Sequence, residues 1–280
     1  MYPRETGYFR PSNMEEALKF LDKETESRPL AGGQSLIPMM RYRLISPSYL
    51  VDITHLNMSH IKATGSELRI GATTRYAELL ANNEVGKMAP LLHKTLMHVG
   101  DYQVRSMGTL GGSASNADPG SDSPAALMAM NAKFVLRSGG GNREVAAKDF
   151  FKGPFTTDLK QGELLEEIVI PTHSDYKTNY MKLVRRAGDY AIVSVALMLK
   201  MKGDSVEDVR LAYANASDRP YRAREAEDFL RGKKLTDDNV REAGEIASKH
   251  SSPPSDIRGS SEYRRELIKL VTMKALRGMA

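Results

Sequence analysis

The sequence predicts an α+β fold in three consecutive units, at residues 1–57, 58–172 and 173–280. Three observations carry this. Helical and strand-length segments alternate through the first fifty residues around a glycine-rich turn. A glycine-centred hairpin sits in the middle stretch. Beyond residue 173 three apolar strand-length segments follow one another, and after them come only helices. With 41% hydrophobic residues in 280, the chain has the apolar material for a core.

The elements read as follows. Ser12-Asn13-Met14-Glu15 is a capping box that opens a helix to about Lys23, with Ala17, Leu18 and Leu21 on its apolar face. A strand at 28–31 runs into Ala31-Gly32-Gly33-Gln34-Ser35-Leu36. Residues 36–44 have helical spacing that stops before Pro47, and 49–53 is a strand, which completes a small β–α–β–α–β unit. The second unit opens on a strand at 68–72, followed by helices at 75–81 and 87–99. A second glycine-rich loop, Gly108-Thr109-Leu110-Gly111-Gly112-Ser113-Ala114-Ser115-Asn116, leads to Ser123, which caps a helix from Pro124 to about Met130. Segments 133–137 and 143–146 form a hairpin across 138–142, and a strand at 164–170 ends at Pro171. In the third unit, 180–185, 191–202 and 206–214 make an antiparallel meander. Helices at 222–231, 237–250 and 262–278 follow, the last two separated by Pro253-Pro254.

The two glycine-rich segments carry the chemistry. Paired glycines let backbone N–H groups approach a phosphate oxygen, because no Cβ intervenes. Two such loops can clamp a diphosphate from both sides. Taken alone, Gly32-Gly33 also fits an ordinary strand-to-helix turn, and Gly139 to Gly141 fits a hairpin turn. Arg185-Arg186-Ala187-Gly188-Asp189-Tyr190-Ala191 has two readings: a bulge between strands, or a loop that sets Tyr190 against a planar ligand ring with Asp189 and Lys182 nearby.

Other chemistries are excluded or unsupported. No GxGxxG, GxxxxGK[ST], HExxH or GxSxG signature is present. His93 and His98 are five residues apart, as are His55 and His60, so neither pair shares a helical face as a metal site would want. With no cysteine, the chain forms no disulfide, thiolate zinc site or Cys-ligated iron–sulfur cluster. A net charge of +5 spread over interleaved acids and bases is a mixed solvated surface and gives no nucleic-acid signal. The apolar run near 191–199 is too short to span a bilayer, and the first ten residues lack a signal-peptide core, so a cytoplasmic location is expected.

Five ordered segments, AGGQSLIPMMRYRLISPSYLVDI, IGATTRYAEL, GTLGGSASNADPGSDSPAAL, ELLEEIVIP and RRAGDYAIVSVA, resemble the FAD-binding medium subunit of molybdenum hydroxylases across essentially the whole chain. The resemblance is to the medium chains of carbon monoxide dehydrogenase and aldehyde oxidoreductase and, more distantly, to the flavin domain of xanthine dehydrogenase. It implies a vanillyl-alcohol-oxidase (PCMH)-type FAD-binding domain in two α+β parts, then a C-terminal three-stranded antiparallel sheet with a helical bundle. It implies that Ala31, Gly32, Gly33, Gln34, Ser35 and Leu36 bind the FAD diphosphate from one side, and Thr109, Gly111, Gly112 and Ser113 from the other. Asn116 and Asp122 match cofactor contacts, Leu165 an adenine-side contact, Lys182 a polar contact and Tyr190 the residue packed at the isoalloxazine ring.

The function implied is electron transfer within an oxidoreductase. A small partner subunit with [2Fe–2S] clusters and a large partner with a molybdenum–pterin cofactor are expected, assembled as a dimer of heterotrimers. The absence of cysteine places this chain outside the branch that carries an extra cluster in this subunit. No catalytic acid or base stands out and no metal ligand is expected. That leaves a second reading open, a non-redox scaffold or regulatory module that binds adenine nucleotides.

Overall fold

The computed structural model describes residues 2–279. The chain opens with strand β1 (Gly7–Phe9), followed by helix α1 (Met14–Lys23), β2 (Arg28–Leu30), α2 (Leu36–Arg41) and β3 (Tyr49–Asp52). The three strands form a parallel sheet in the order β1-β3-β2. Asn13, one residue later than the capping box suggests, caps α1 by accepting from the Glu16 amide, while the Ser12 amide donates to the Glu16 carboxylate. Ala17, Leu18 and Leu21 pack on Val51, Ile53 and Met58.

The middle stretch runs β4 (Ile61–Ala63), β5 (Glu67–Gly71), α3 (Tyr76–Ala81), α4 (Asn83–Met88), α5 (Pro90–Leu96), α6 (Tyr102–Met107), α7 (Leu110–Asn116) and α8 (Asp122–Ala129). It continues through β6 (Lys133–Ser138), β7 (Gly141–Ala146), α9 (Ala147–Phe150), β8 (Phe151–Gly153), β9 (Thr156–Thr157) and β10 (Leu164–Pro171). A five-stranded antiparallel sheet, β4-β5-β10-β6-β7, organises this part, with the expected hairpin at its β6-β7 edge.

Three expectations change here. The helix expected at 87–99 is split between α4 and α5, because Pro90 at the first position of α5 cannot continue the preceding ladder. The cap expected at Ser123 moves to Ser121, and every residue of α8 is buried, so the helix shows no amphipathic face from which its start could be read. The second glycine-rich segment is not a loop. From Leu110 it is helix α7, capped by Thr109.

The last part holds β11 (Lys177–Leu183), β12 (Val193–Lys202), β13 (Ser205–Ala214), β14 (Tyr221–Arg222), α10 (Arg224–Leu230), α11 (Asp237–Lys249) and α12 (Ser261–Arg277). The antiparallel sheet is four-stranded rather than three, since the two-residue β14 adds to the edge of β13. The sheet is covered on both faces. Ala196, Met198 and Ala212 point into the core shared with α5 and α8. Val195, Leu197, Leu199 and Leu211 point into a second core against α10, α11 and α12. Burial on both faces explains why 191–199 reads as a nearly unbroken apolar run rather than an alternation. Among the described residues no helix is long and apolar enough to cross a membrane.

Candidate functional site

The site is built where the end of β2 meets the start of α7. The turn after Leu30 places Gly32 against the backbone of the α6–α7 junction. A Cβ on Gly32 would stand 2.0 Å from the Met107 carbonyl oxygen and 2.9 Å from the Gly108 Cα. Gly33 has φ +69°, a left-handed conformation that turns the chain back toward α2. Among the described residues, the backbone N–H groups of Gly32, Gly33, Gln34, Ser35 and Leu36 have no hydrogen-bond partner. Five consecutive amides are thus left for a ligand, and such a run of donors accepts an anion.

The amides of α7 behave differently. Those of Leu110 and Gly111 donate to the carbonyls of Thr74 and Ala72, at 3.1 and 3.0 Å. The Gly112 amide donates to the Thr109 hydroxyl at 3.1 Å, and the Ser113 amide to the Thr109 carbonyl. Gly111 is small for packing: a Cβ there would lie 2.5 Å from that of Ala72. The second segment therefore offers a partner diphosphate its hydroxyls and its helix-end field rather than a row of free amides. Thr109→Ala is expected to cost about 1 kcal/mol through loss of the N-cap, read as a lower midpoint in denaturant unfolding.

Between these segments lies a cleft of about 540 Å³. Every site residue picked out in the sequence lines it: Ala31 to Leu36, Thr109, Gly111, Gly112, Ser113, Asn116, Asp122, Leu165, Lys182 and Tyr190. Met39, Ile45, Ile53, Val99, Val104 and Leu159 supply apolar walls suited to planar rings. The cleft also takes in Arg28, Thr73, Ser121 and Phe155, which no sequence signal singled out. Thr73 is the most telling of these. Its hydroxyl is buried without a partner, and a buried polar atom left open at a cleft wall is a ligand's hydrogen-bond site. It belongs to the IGATTRYAEL segment, where the second of two threonines is engaged with the His60 backbone and the first is not.

A chain of hydroxyls lines the floor. Ser113 contacts Ser121 at 3.0 Å and Ser123 at 3.1 Å, and Ser123 contacts the Tyr76 phenol at 3.2 Å. Beside it, Asp122 and Lys182 form a buried ion pair at 2.7 Å, with side chains only 6% and 5% exposed. The Tyr180 phenol donates to the other oxygen of Asp122, and Lys182 also donates to the His98 carbonyl at 3.0 Å. Burial pushes the Asp122 carboxyl above its ordinary range, with the Lys182 ammonium pulling against that. Burial holds His98 below the usual imidazole value. Asp122 on α8 and Lys182 on β11 thus clamp the C-terminal sheet onto the middle part at the cleft wall.

Tyr190 stands at the mouth, in the segment from 184 to 192 that lies between strands β11 and β12. The ring remains 40% exposed. Desolvation of its phenol, reinforced by the Asp118 carboxylate, pushes its pKa up to about 12. The loop is held at its far end by Asn215, whose amide donates to the Ala191 carbonyl at 2.5 Å. Of the histidines, His93 contacts the Leu80 carbonyl, His55 the Pro11 carbonyl and His60 the Glu167 carboxylate. Chemically, the cleft offers an amide cradle and hydroxyls for a diphosphate, apolar walls for planar rings, and an aromatic residue at its opening.

The chain is similar to known proteins over essentially its whole length. A family profile described as the FAD binding domain in molybdopterin dehydrogenase matches residues 4–173, and one described as the CO dehydrogenase flavoprotein C-terminal domain matches 178–279. The glyceraldehyde dehydrogenase medium chain of Sulfolobus acidocaldarius is 52% identical over the whole length of both chains. Reconstituted CO dehydrogenase from Oligotropha carboxidovorans superposes with a TM-score of 0.96 at 35% identity, covering 99% of this chain and 98% of that one. Quinoline 2-oxidoreductase from Pseudomonas putida 86 gives 0.94 at 35% identity, covering 99% of each.

Proposed function

Because the chain belongs to the family of FAD-binding medium subunits of molybdenum hydroxylases, we propose that it carries electrons from [2Fe–2S] clusters of a small partner subunit to an external acceptor. The observation that supports this best is the run of partnerless amides from Gly32 to Leu36, set in one cleft with Tyr190. FAD, when bound, exchanges electrons singly or in pairs and so links one-electron clusters to a two-electron acceptor.

The residues present fit this cofactor. The amides of 32–36, with the hydroxyls of Thr109 and Ser113, hold the diphosphate. Thr73 gives or accepts one further hydrogen bond through its open hydroxyl. Leu165 and its apolar neighbours take the adenine side, and Asn116 a polar edge. Lys182 presents a cation at the wall, fixed there by Asp122 and the His98 carbonyl. Tyr190 covers the ring at the mouth. The chain binds, orients and excludes water; it supplies no acid or base of its own. A large subunit with a molybdenum–pterin cofactor completes a dimer of heterotrimers in the cytoplasm, and the relative at 52% identity favours an aldehyde as the substrate of that assembly.

Tyr190→Ala is expected to leave most of the FAD bound and to change the visible flavin spectrum and its reduction potential, because the ring faces the cofactor without holding its phosphates. An unchanged spectrum and potential removes Tyr190 from the site. The function itself is tested by the absorbance of the purified protein, alone and co-expressed with its partner subunits, before and after adding FAD and then dithionite. Bound flavin that bleaches on reduction supports it. Adenine-nucleotide binding without flavin instead favours a non-redox scaffold.

A further inference from the structure

We propose that Asn215 is a positioning residue for the flavin: it fixes where the Tyr190 ring stands at the cleft mouth and, through that ring, sets the cofactor's reduction potential. The proposal rests on the reading of Tyr190 at the flavin. Asn215 is the first residue after β13, only 6% exposed, with φ +56°. Few residues other than glycine adopt that left-handed conformation, and asparagine is among those that tolerate it. In it, one residue holds two segments of the cleft. Its backbone N–H donates to the Pro119 carbonyl at 2.8 Å, and its side-chain amide donates to the carbonyl of Ala191, next to Tyr190, at 2.5 Å.

The two segments differ in firmness. The turn at 118–121 is closed by its own bonds: the Gly120 amide donates to the Asp118 carboxylate at 2.9 Å, and the Ser121 amide to the Asp118 carbonyl at 3.0 Å. It leads directly into α8 and the buried Asp122. The segment from 184 to 192 is looser. Gly188 has φ +86°, and the bond from the Asp189 amide to the Arg186 carbonyl, at 3.2 Å, stops short of Tyr190. The Arg258 guanidinium, 5.8 Å from the centre of the Tyr190 ring, is at the outer reach of a cation–π contact. Asn215 therefore ties the looser segment to the firmer one at the residue beside the ring.

The contacts are close. A Cβ on Gly120 would stand 2.9 Å from the Asn215 side-chain nitrogen and 3.4 Å from the Tyr190 ring. An amide is needed here because it donates; a carboxylate of the same shape would set oxygen against oxygen. An aromatic face acts on a neighbouring planar ring through its quadrupole and through dispersion, and both fall steeply with separation. A shift of the main chain beside Tyr190 thus changes how strongly each oxidation state of the flavin is held.

The test uses the flavin-loaded complex assembled with its partner subunits. It reads the flavin reduction potential and visible spectrum, with thermal unfolding alongside. Asn215→Gly keeps the left-handed backbone and the bond to Pro119 and removes only the side-chain amide. It is expected to keep most of the FAD and to move potential and spectrum in the same direction as Tyr190→Ala, by a smaller amount. Asn215→Asp is expected to do the same. In a Tyr190→Ala background, Asn215→Gly is expected to add no further shift, the mark of action through that ring. A lower unfolding midpoint with unchanged potential and spectrum shows a structural role alone and overturns the proposal. So does a shift that persists in full in the Tyr190→Ala background. If Asn215→Gly yields no folded complex, Gly120→Ala decides, since it crowds the same amide from the firm side; an unchanged potential and spectrum there overturns the proposal too. A parent complex that purifies without flavin and takes up none overturns the cofactor reading, and this proposal with it.

Discussion

Lys182→Met is expected to destabilise the folded chain by about 3–5 kcal/mol, because it leaves a buried carboxylate without its cation. The pair it breaks is nearly sealed from solvent, at 2.7 Å. Asp122 would keep only the Tyr180 phenol as a donor. The pH dependence has a definite sign. In the parent chain burial already raises the Asp122 carboxyl above its unfolded value, despite Lys182. A raised carboxyl pKa means that the folded state holds a proton which the unfolded state has released. Stability from this group is therefore present below the unfolded pKa and falls as pH climbs through the folded one. Removing Lys182 raises the folded pKa further, so the loss grows and extends to higher pH. Urea unfolding of Lys182→Met at pH 5 and pH 8 is expected to show the larger deficit at pH 8. Asp122→Asn combined with Lys182→Met is expected to recover part of it, since no charge is then stranded. Equal stability of the single variant and the parent at pH 8 would show that the pair does not clamp the two parts.

Gly32→Val is expected to lower FAD affinity by about 100-fold or more, equivalent to two charge-assisted hydrogen bonds of about 1.5–3 kcal/mol each. Its first new atom would occupy the place of the Met107 carbonyl, 2.0 Å away. Backbone cannot yield as a flexible side chain does, so the turn must move, and the amides of 32–36 move with it. Overpacking adds roughly 1–3 kcal/mol of destabilisation. A control separates the effects: a Cβ on Gly139, in the β6-β7 turn, meets nothing within 4 Å, so Gly139→Ala is expected to keep full flavin content. Flavin absorbance per chain after gel filtration, with thermal unfolding alongside, checks both. Normal FAD content in Gly32→Val would refute the amide cradle.

These two variants also mark where sequence reading reaches and where it stops. The α+β class, the antiparallel meander and its closing helices follow from local signals, such as an apolar face on α1, a glycine-rich hairpin and a proline at the end of β10, whereas the short elements β1, β4, β8, β9, β14, α6 and α9 are too brief to show a period of their own. Such signals act over one or two turns of chain, so they survive without tertiary context. The two glycine-rich segments are equally visible, because close backbone approach demands glycine wherever it occurs. Their different uses are not. Whether the amides of 32–36 stay free while those of α7 are engaged depends on the carbonyls of Ala72 and Thr74, some forty residues away in sequence from the first segment.

The same division holds for the rest of the cleft. Sequence by itself determined that this chain has paired glycine segments, a GDYA loop and no cysteine, since each is a property of residues in order. Only the tertiary structure decided that α8 is buried on every side, that Asp122 and Lys182 face each other, that Thr73 keeps an open hydroxyl, and that Arg258 comes over Tyr190. Each of these depends on distance and desolvation between groups far apart in the chain, and local sequence encodes neither.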